Sequence, residues 1–172
     1  MKQLGLLLLM VFFGCGVYAQ LANPEYKTYT DAKNGITIKY PANWNKKDVE
    51  GTEFFFMRPK EEAGQKFAEN INLIIDPPED LDLIEYAGVA KTKLSNNLKD
   101  YREVSSRFVK INNRDFFEIT YTFTYNKLKM YDIHYVTIKN NQSYSITCSA
   151  LESTFKKFQP VFETMMKSLI IK

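Results

Sequence analysis

The chain has little of what reactive sites are made from. Two cysteines, one histidine and one tryptophan occur in its 172 residues. Cys15 lies in an N-terminal apolar segment, which leaves Cys148 alone in the rest of the chain. No internal disulfide is therefore expected, and packing must hold the fold together. His134 is the only histidine, so a site built on two imidazoles is excluded. No Gly-x-Ser-x-Gly, P-loop, His-Glu-x-x-His or Cys-x-x-Cys element occurs. An excess of charge of one sign is missing as well. With Lys2 set aside, 22 Lys and Arg stand against 20 Asp and Glu, a net of +2. That balance argues against nucleic acid or an anionic membrane surface as partner. No repeat, low-complexity tract or Pro/Gly/Ser-rich linker divides the chain, which predicts one domain over residues 20–172.

Apolar runs are short. Leu4 to Phe13 is apolar apart from Gly5, well under the roughly 20 residues that a membrane helix needs. Lys2 precedes it, and Val17 and Ala19 stand at −3 and −1 of a cut before Gln20. Residues 1–19 thus read as a secretory signal peptide, and the expected location is periplasmic or secreted. The alternative is lipoprotein processing at Cys15, within "FFGC", which would anchor the protein to a membrane. Phe12, where a lipobox has an aliphatic residue, and the "GVYA" after Cys15 favour cleavage after Ala19.

Aromatic residues are what the chain has in quantity: 13 Phe and 11 Tyr, most of them in alternating runs. "EYKTYT" reads as a short strand and "DAKNG" as its turn, since Asn-Gly accepts positive φ cheaply. Ile36, Ile38 and Tyr40 then face one way, and Pro41 stops the strand. "TEFFFMRP" and "FAENINLIIDP" suggest two more strands. From Leu83 the spacing becomes helical, with Leu83, Ala87, Ala90, Leu94 and Leu98 on one stripe, Asp82 as N-cap and Glu85 three residues into the helix. "FFEITYTFTY", "LKMYDIHYVTIK" and "SYSITCSA" extend a meander of antiparallel strands, and Tyr144, Ile146, Cys148 and Ala150 share one face. Cys148 is accordingly expected to be a buried small apolar residue. A second helical stripe, from Leu151 through Phe155, Phe158, Phe162 and Met165 to Leu169, contains Pro160, and the main helix is expected to begin near that proline. The order predicts an α+β fold: a central antiparallel sheet of about six or seven strands sandwiched by helices.

"GITIKYPANW", the "F" and "ENINLII" of residues 67–75, and "LIEYA" opening a helix together resemble the PsbP-like superfamily. That group includes PsbP proteins, DcrB-type bacterial envelope proteins, and a Ran-binding nuclear transport factor sharing the fold. The residues carrying the resemblance are Gly35, Tyr40, Pro41, Trp44, Phe67 and Asn70, and it extends over roughly residues 26–171. It implies an antiparallel sheet flanked by helices and a mostly non-enzymatic role. Trp44 is expected to fold back over the corner that Pro41 makes.

Four features are candidate sites. Three consecutive phenylalanines, Phe54, Phe55 and Phe56, cannot all face one side of a strand. Either both faces are covered or one of them lines an apolar binding surface. Asp132 and His134 share a strand face and would form a dyad only with a third group. The acidic run from Asp76 to Glu85 has carboxylates enough for Ca²⁺, but no EF-hand spacing, and acids before a helix suit its dipole. Lys91, Lys93, Lys99, Arg102, Arg107 and Lys110 are interspersed with acids, as on a solvated surface. No catalytic, metal or cofactor residues are assigned. The expected function is an exported, non-enzymatic domain that binds or supports an envelope component. The alternatives are a carrier of a small apolar ligand or lipid, and an enzyme using His134 and Asp132.

Overall fold

In the computed structural model, which describes residues 24–77 and 80–172, the first hairpin is closed by an aspartate. The Asp31 carboxylate accepts the backbone N–H groups of Lys33 and Asn34 at 3.0 and 3.2 Å and the Asn34 side-chain amide at 2.7 Å. Gly35 then takes a φ of +65°. This turn joins β1 (Tyr26–Asp31) to β2 (Ile36–Pro41), and β10 (Ile170–Ile171) pairs with the other side of β2. These strands form a three-stranded sheet separate from the main one. The signal-peptide reading of residues 1–19 and Cys15 lie outside the described residues.

The main sheet has seven strands in the order β3-β4-β5-β9-β8-β7-β6. Its members are β3 (Asn45–Lys47), β4 (Phe54–Met57), β5 (Asn70–Asp76), β6 (Arg102–Ile111), β7 (Arg114–Tyr125), β8 (Leu128–Lys139) and β9 (Gln142–Leu151). All the pairings are antiparallel. The β6-to-β9 meander turns at Asn112-Asn113, Asn126-Lys127 and Asn140-Asn141, with positive φ at both residues of each pair. Such two-residue turns match the twist of the strands they join, and asparagine tolerates them best after glycine.

Helix α1 (Leu83–Asn97) starts as its sequence predicts. Asp82 Oδ1 accepts the N–H groups of Ile84 and Glu85 at 2.8 and 2.9 Å, and Glu85 accepts the Asp82 N–H at 3.0 Å. Helix α2 (Phe155–Ser168) corrects the other expectation: it begins at Phe155 and runs through Pro160 without a break. The proline removes one internal hydrogen bond, to the Lys156 carbonyl. Burial of Phe155 and Phe158 in the first turn outweighs that loss.

The helices cover opposite faces of the sheet, each over one half. Helix α2 and the small sheet close the face made by Phe54, Phe56, Ile71, Leu73, Ile146 and Cys148, and these form the larger core. Helix α1 closes the other face over β7 and β8, against Phe117, Ile119, Tyr121 and Val136. Two quarters of the sheet stay open. One, on the α1 side over β5 and β9, carries Asn72, Ser145, Thr147 and Ser149, a face suited to water. The other lies beside α2. No helix of the described residues is long and apolar enough to cross a membrane.

Candidate functional site

The open quarter beside α2 is a groove of about 600 Å³, within the usual size range of ligand sites. Its floor follows from strand register. Arg107, Glu118, Tyr135 and Ile146 stand side by side across β6, β7, β8 and β9, and Ser105, Thr120, Ile133 and Cys148 form the next row. Each row runs from polar at the open edge to apolar beneath α2. The helix supplies the other wall with Gln159, Glu163 and Lys167, one turn apart, and Phe155 and Met166 below them.

The charges in the groove are matched. Arg107 Nε donates to Glu118 at 2.8 Å, with the arginine side chain 69% exposed and the glutamate 11%. The Tyr135 hydroxyl stands near the Glu118 carboxylate, and burial pushes that phenol well above its ordinary range. Glu163 accepts from Gln159 at 3.0 Å and lies 3.8 Å from Lys167. The remaining guanidinium N–H groups of Arg107 and the hydroxyls of Ser105 and Thr120 line the groove beside an apolar strip, in which Tyr131 stacks on Phe155 at 3.7 Å. Such a surface can hold a partly apolar ligand or segment by its hydrogen-bonding edge; it presents no activated nucleophile.

A second polar group lies beneath α1. Asp132 is 4% exposed; one carboxylate oxygen accepts from the Ser149 hydroxyl at 2.9 Å and the other has no partner. Burial raises its pKa to about 7, against the Ser149 hydrogen bond and the nearby Tyr121 hydroxyl. His134, next on the same face, shares a 2.9 Å hydrogen bond with the Thr147 hydroxyl, and desolvation lowers its pKa to about 4. The two side chains lie on the α1 face of the sheet, His134 uncharged near neutral pH and Asp132 close to its midpoint there. Their hydrogen bonds run sideways to β9, not to each other.

The residues singled out in the sequence fall as follows. Phe54 and Phe56 are sealed in the larger core, stacked on each other at 5.0 Å with Tyr29 edge-on and Tyr40 stacked on Phe56. Alternation sends both rings inward, and the half-buried Phe55 reaches the opposite, open face. Gly35 sits where a Cβ would come 3.2 Å from the Lys172 Cβ, besides its positive φ. Trp44 packs edge-on to Phe162 at 6.2 Å. Phe67 is half-buried, and the buried Asn70 amide donates to the Ala68 carbonyl at 3.1 Å. Of the acidic run, Asp82 and Glu85 are used in the α1 cap, Glu79 lies outside the described residues, and no metal-holding group of three ligands occurs among the described residues. The basic residues are dispersed: Lys91 pairs with Glu103, Arg107 with Glu118 and Lys110 with Asp115. Sequence reasoning missed the groove, because Glu118 and Thr120 alternate with apolar residues and read as solvent-facing; only the register beside Arg107 and Ser105 brings them together.

A seven-stranded antiparallel sheet, half-covered on each face by one helix and leaving a groove beside the C-terminal one, defines a PsbP-like α+β protein. The PsbP family model matches residues 24–171, and the chain belongs to that family. Among solved structures it is similar to cyanobacterial PsbP (CyanoP) from Synechocystis sp. PCC 6803, at 16% identity over 94% of this chain and 99% of that one, with a TM-score of 0.64. It is also similar to LpqN of Mycobacterium tuberculosis, a protein involved in cell envelope biogenesis, at 11% identity over 86% of this chain and 91% of that one, with a TM-score of 0.66. PA94 of Pseudomonas aeruginosa matches at 10% identity over 86% and 97%, with a TM-score of 0.63. At these identities the likeness is one of fold. A comparison with curated proteins finds no match.

Proposed function

We propose that the protein is an exported, non-enzymatic PsbP-family domain that binds or supports an envelope component through the groove beside α2. After removal of residues 1–19 it works as one domain, with membrane association only if Cys15 is lipidated instead. The observation carrying this reading is the groove itself: about 600 Å³, with charges matched inside it and free hydrogen-bonding groups along an apolar strip. Membership of the PsbP family and the likeness to an envelope-biogenesis protein support it. A carrier of a small apolar ligand is the second reading, favoured by Tyr131, Ile133, Phe155 and Met166 in the same groove. The enzyme reading is the weakest, because Asp132 and His134 are turned to β9 and lie under α1.

The test is affinity purification from the native envelope with the parent protein and with Thr120→Trp, which fills the groove. A specific protein recovered by the parent and lost by a folded Thr120→Trp supports the first reading. Bound lipid found by mass spectrometry, with no specific protein, replaces it with the second.

A further inference from the structure

The two helices are held very differently. Helix α2 buries Phe155, Phe158, Val161, Phe162, Met165 and Met166, whereas α1 buries only Ala87 and Ala90. Four half-buried residues, Leu83, Tyr86, Leu94 and Leu98, widen the α1 seam, while Ile84 faces solvent at 71% exposure. Lys91 of α1 reaches the sheet margin, donating to Glu103 and Ser106 at 3.0 and 3.2 Å. Yet this lightly held helix lies on the face that carries Asp132, whose second carboxylate oxygen is buried without a partner. The Tyr101 hydroxyl, next to Tyr121 on that face, is likewise buried and unpartnered. A neutral carboxyl tolerates this setting far better than a carboxylate, which needs water or donors on both oxygens. No cation offsets the charge: burial opposes it, and only the Ser149 hydroxyl and the nearby Tyr121 hydroxyl favour it.

We propose that α1 is a proton-controlled cover, seated on β7 and β8 while Asp132 is protonated and released when Asp132 ionises, so that water reaches the carboxylate. Release uncovers the apolar seam of Phe117, Ile119, Tyr121 and Val136. This inference stands independently of the groove. The direction is fixed by linkage: a carboxyl whose folded pKa is raised stabilises the closed form at low pH, and that contribution is lost as pH rises through about 7. The other titratable groups around Asp132 hold their state in that window. Tyr121 on β7 and Tyr101 before β6 are raised above the ordinary phenol value, Cys148 on β9 well above the ordinary thiol value, and His134 on β8 is lowered to about 4. At the margin, Glu103 is lowered by Ser106 and by Lys91 of α1.

The experiment is hydrogen exchange on the folded protein at about pH 5.5 and about pH 8.5, corrected for intrinsic rates, with α2 as internal reference. Protection of residues 84–97 should fall by about tenfold at the higher pH while α2 keeps its own. Asp132→Asn should keep α1 protected at both. Ser149→Ala removes a hydrogen bond that favours the charged form, so it should move the transition to higher pH. Corrected α1 protection that is equal at the two pH values overturns the proposal, as does equal loss in α1 and α2. Carboxyl NMR of the parent gives a readout that no variant can confound: an Asp132 resonance titrating near the ordinary 3.8 also overturns it.

Discussion

Glu69 and Thr154, 85 residues apart in sequence, are joined by a 2.7 Å hydrogen bond from the threonine hydroxyl to the carboxylate. The other carboxylate oxygen takes the Arg58 Nε–H at 2.7 Å, and the guanidinium lies 5.1 Å over the Phe158 ring. Glu69 is 1% exposed, so one buried charge fastens β4, β5 and the start of α2 together. Removing it leaves Arg58 with only the exposed Glu61. Glu69→Ala should destabilise by about 3 kcal/mol in urea unfolding, while Thr154→Val should cost about 1 kcal/mol. Equal losses would mean that the ion pair contributes nothing beyond the hydroxyl bond.

Trp44, just past the end of β2, meets Phe162 of α2 edge-on. Trp44→Ala should cost on the order of 3–5 kcal/mol, read from the denaturation midpoint. A variant of unchanged stability would show that the ring serves something other than the corner.

The three phenylalanines of β4 should separate by face. Phe56→Ala opens a hole in the larger core and should cost about 3–5 kcal/mol, whereas Phe55→Ala should cost about 1–2 kcal/mol. Thermal melts of the two variants check the ranking, and a larger effect at Phe55 would reverse the assignment of faces.

Asp132 and His134 act in opposite directions on overall stability. Asp132, raised from 3.8 to about 7, contributes stability that is present at low pH and lost as pH rises through its folded value. His134, lowered from 6.5 to about 4, contributes stability present above 6.5 and lost as pH falls through its folded value. Between those limits the two slopes oppose each other. Against the parent, Asp132→Asn should make stability rise with pH and His134→Gln should make it fall, each by up to about 1.4 kcal/mol per pH unit. Urea titrations across the window measure both, and parallel curves for all three proteins would contradict the two burial effects.

Cys148 is fully buried, and burial raises its thiol well above the ordinary value. A thiol reagent should modify it only once denaturant unfolds the chain. Rapid reaction of the native protein would show that β9 opens locally.

The elements themselves were legible in the sequence because each rests on neighbours. Asp82 and Glu85 cap α1 from three residues apart, and two-residue turns that each begin with asparagine join the meander strands. Pro160 misled because a local rule was beaten by burial of Phe155 and Phe158, which depends on the sheet beneath. The candidate site was far less legible. Arg107 and Glu118 are adjacent only through the register of β6 on β7, and Gln159 and Glu163 face them only through the docking of α2.

By itself, then, the sequence determined the alternation and helical spacing that make an α+β sheet protein, the turns, the want of disulfides and the family motif around Gly35 and Trp44. Tertiary structure alone decided that β1, β2 and β10 form a separate sheet, that Phe54 and Phe56 point inward, and that a groove stays open beside α2. Periodicity is a property of residues a few positions apart. Which half of each sheet face a helix covers depends on contacts between distant segments, and those are settled only when the whole apolar surface is buried together.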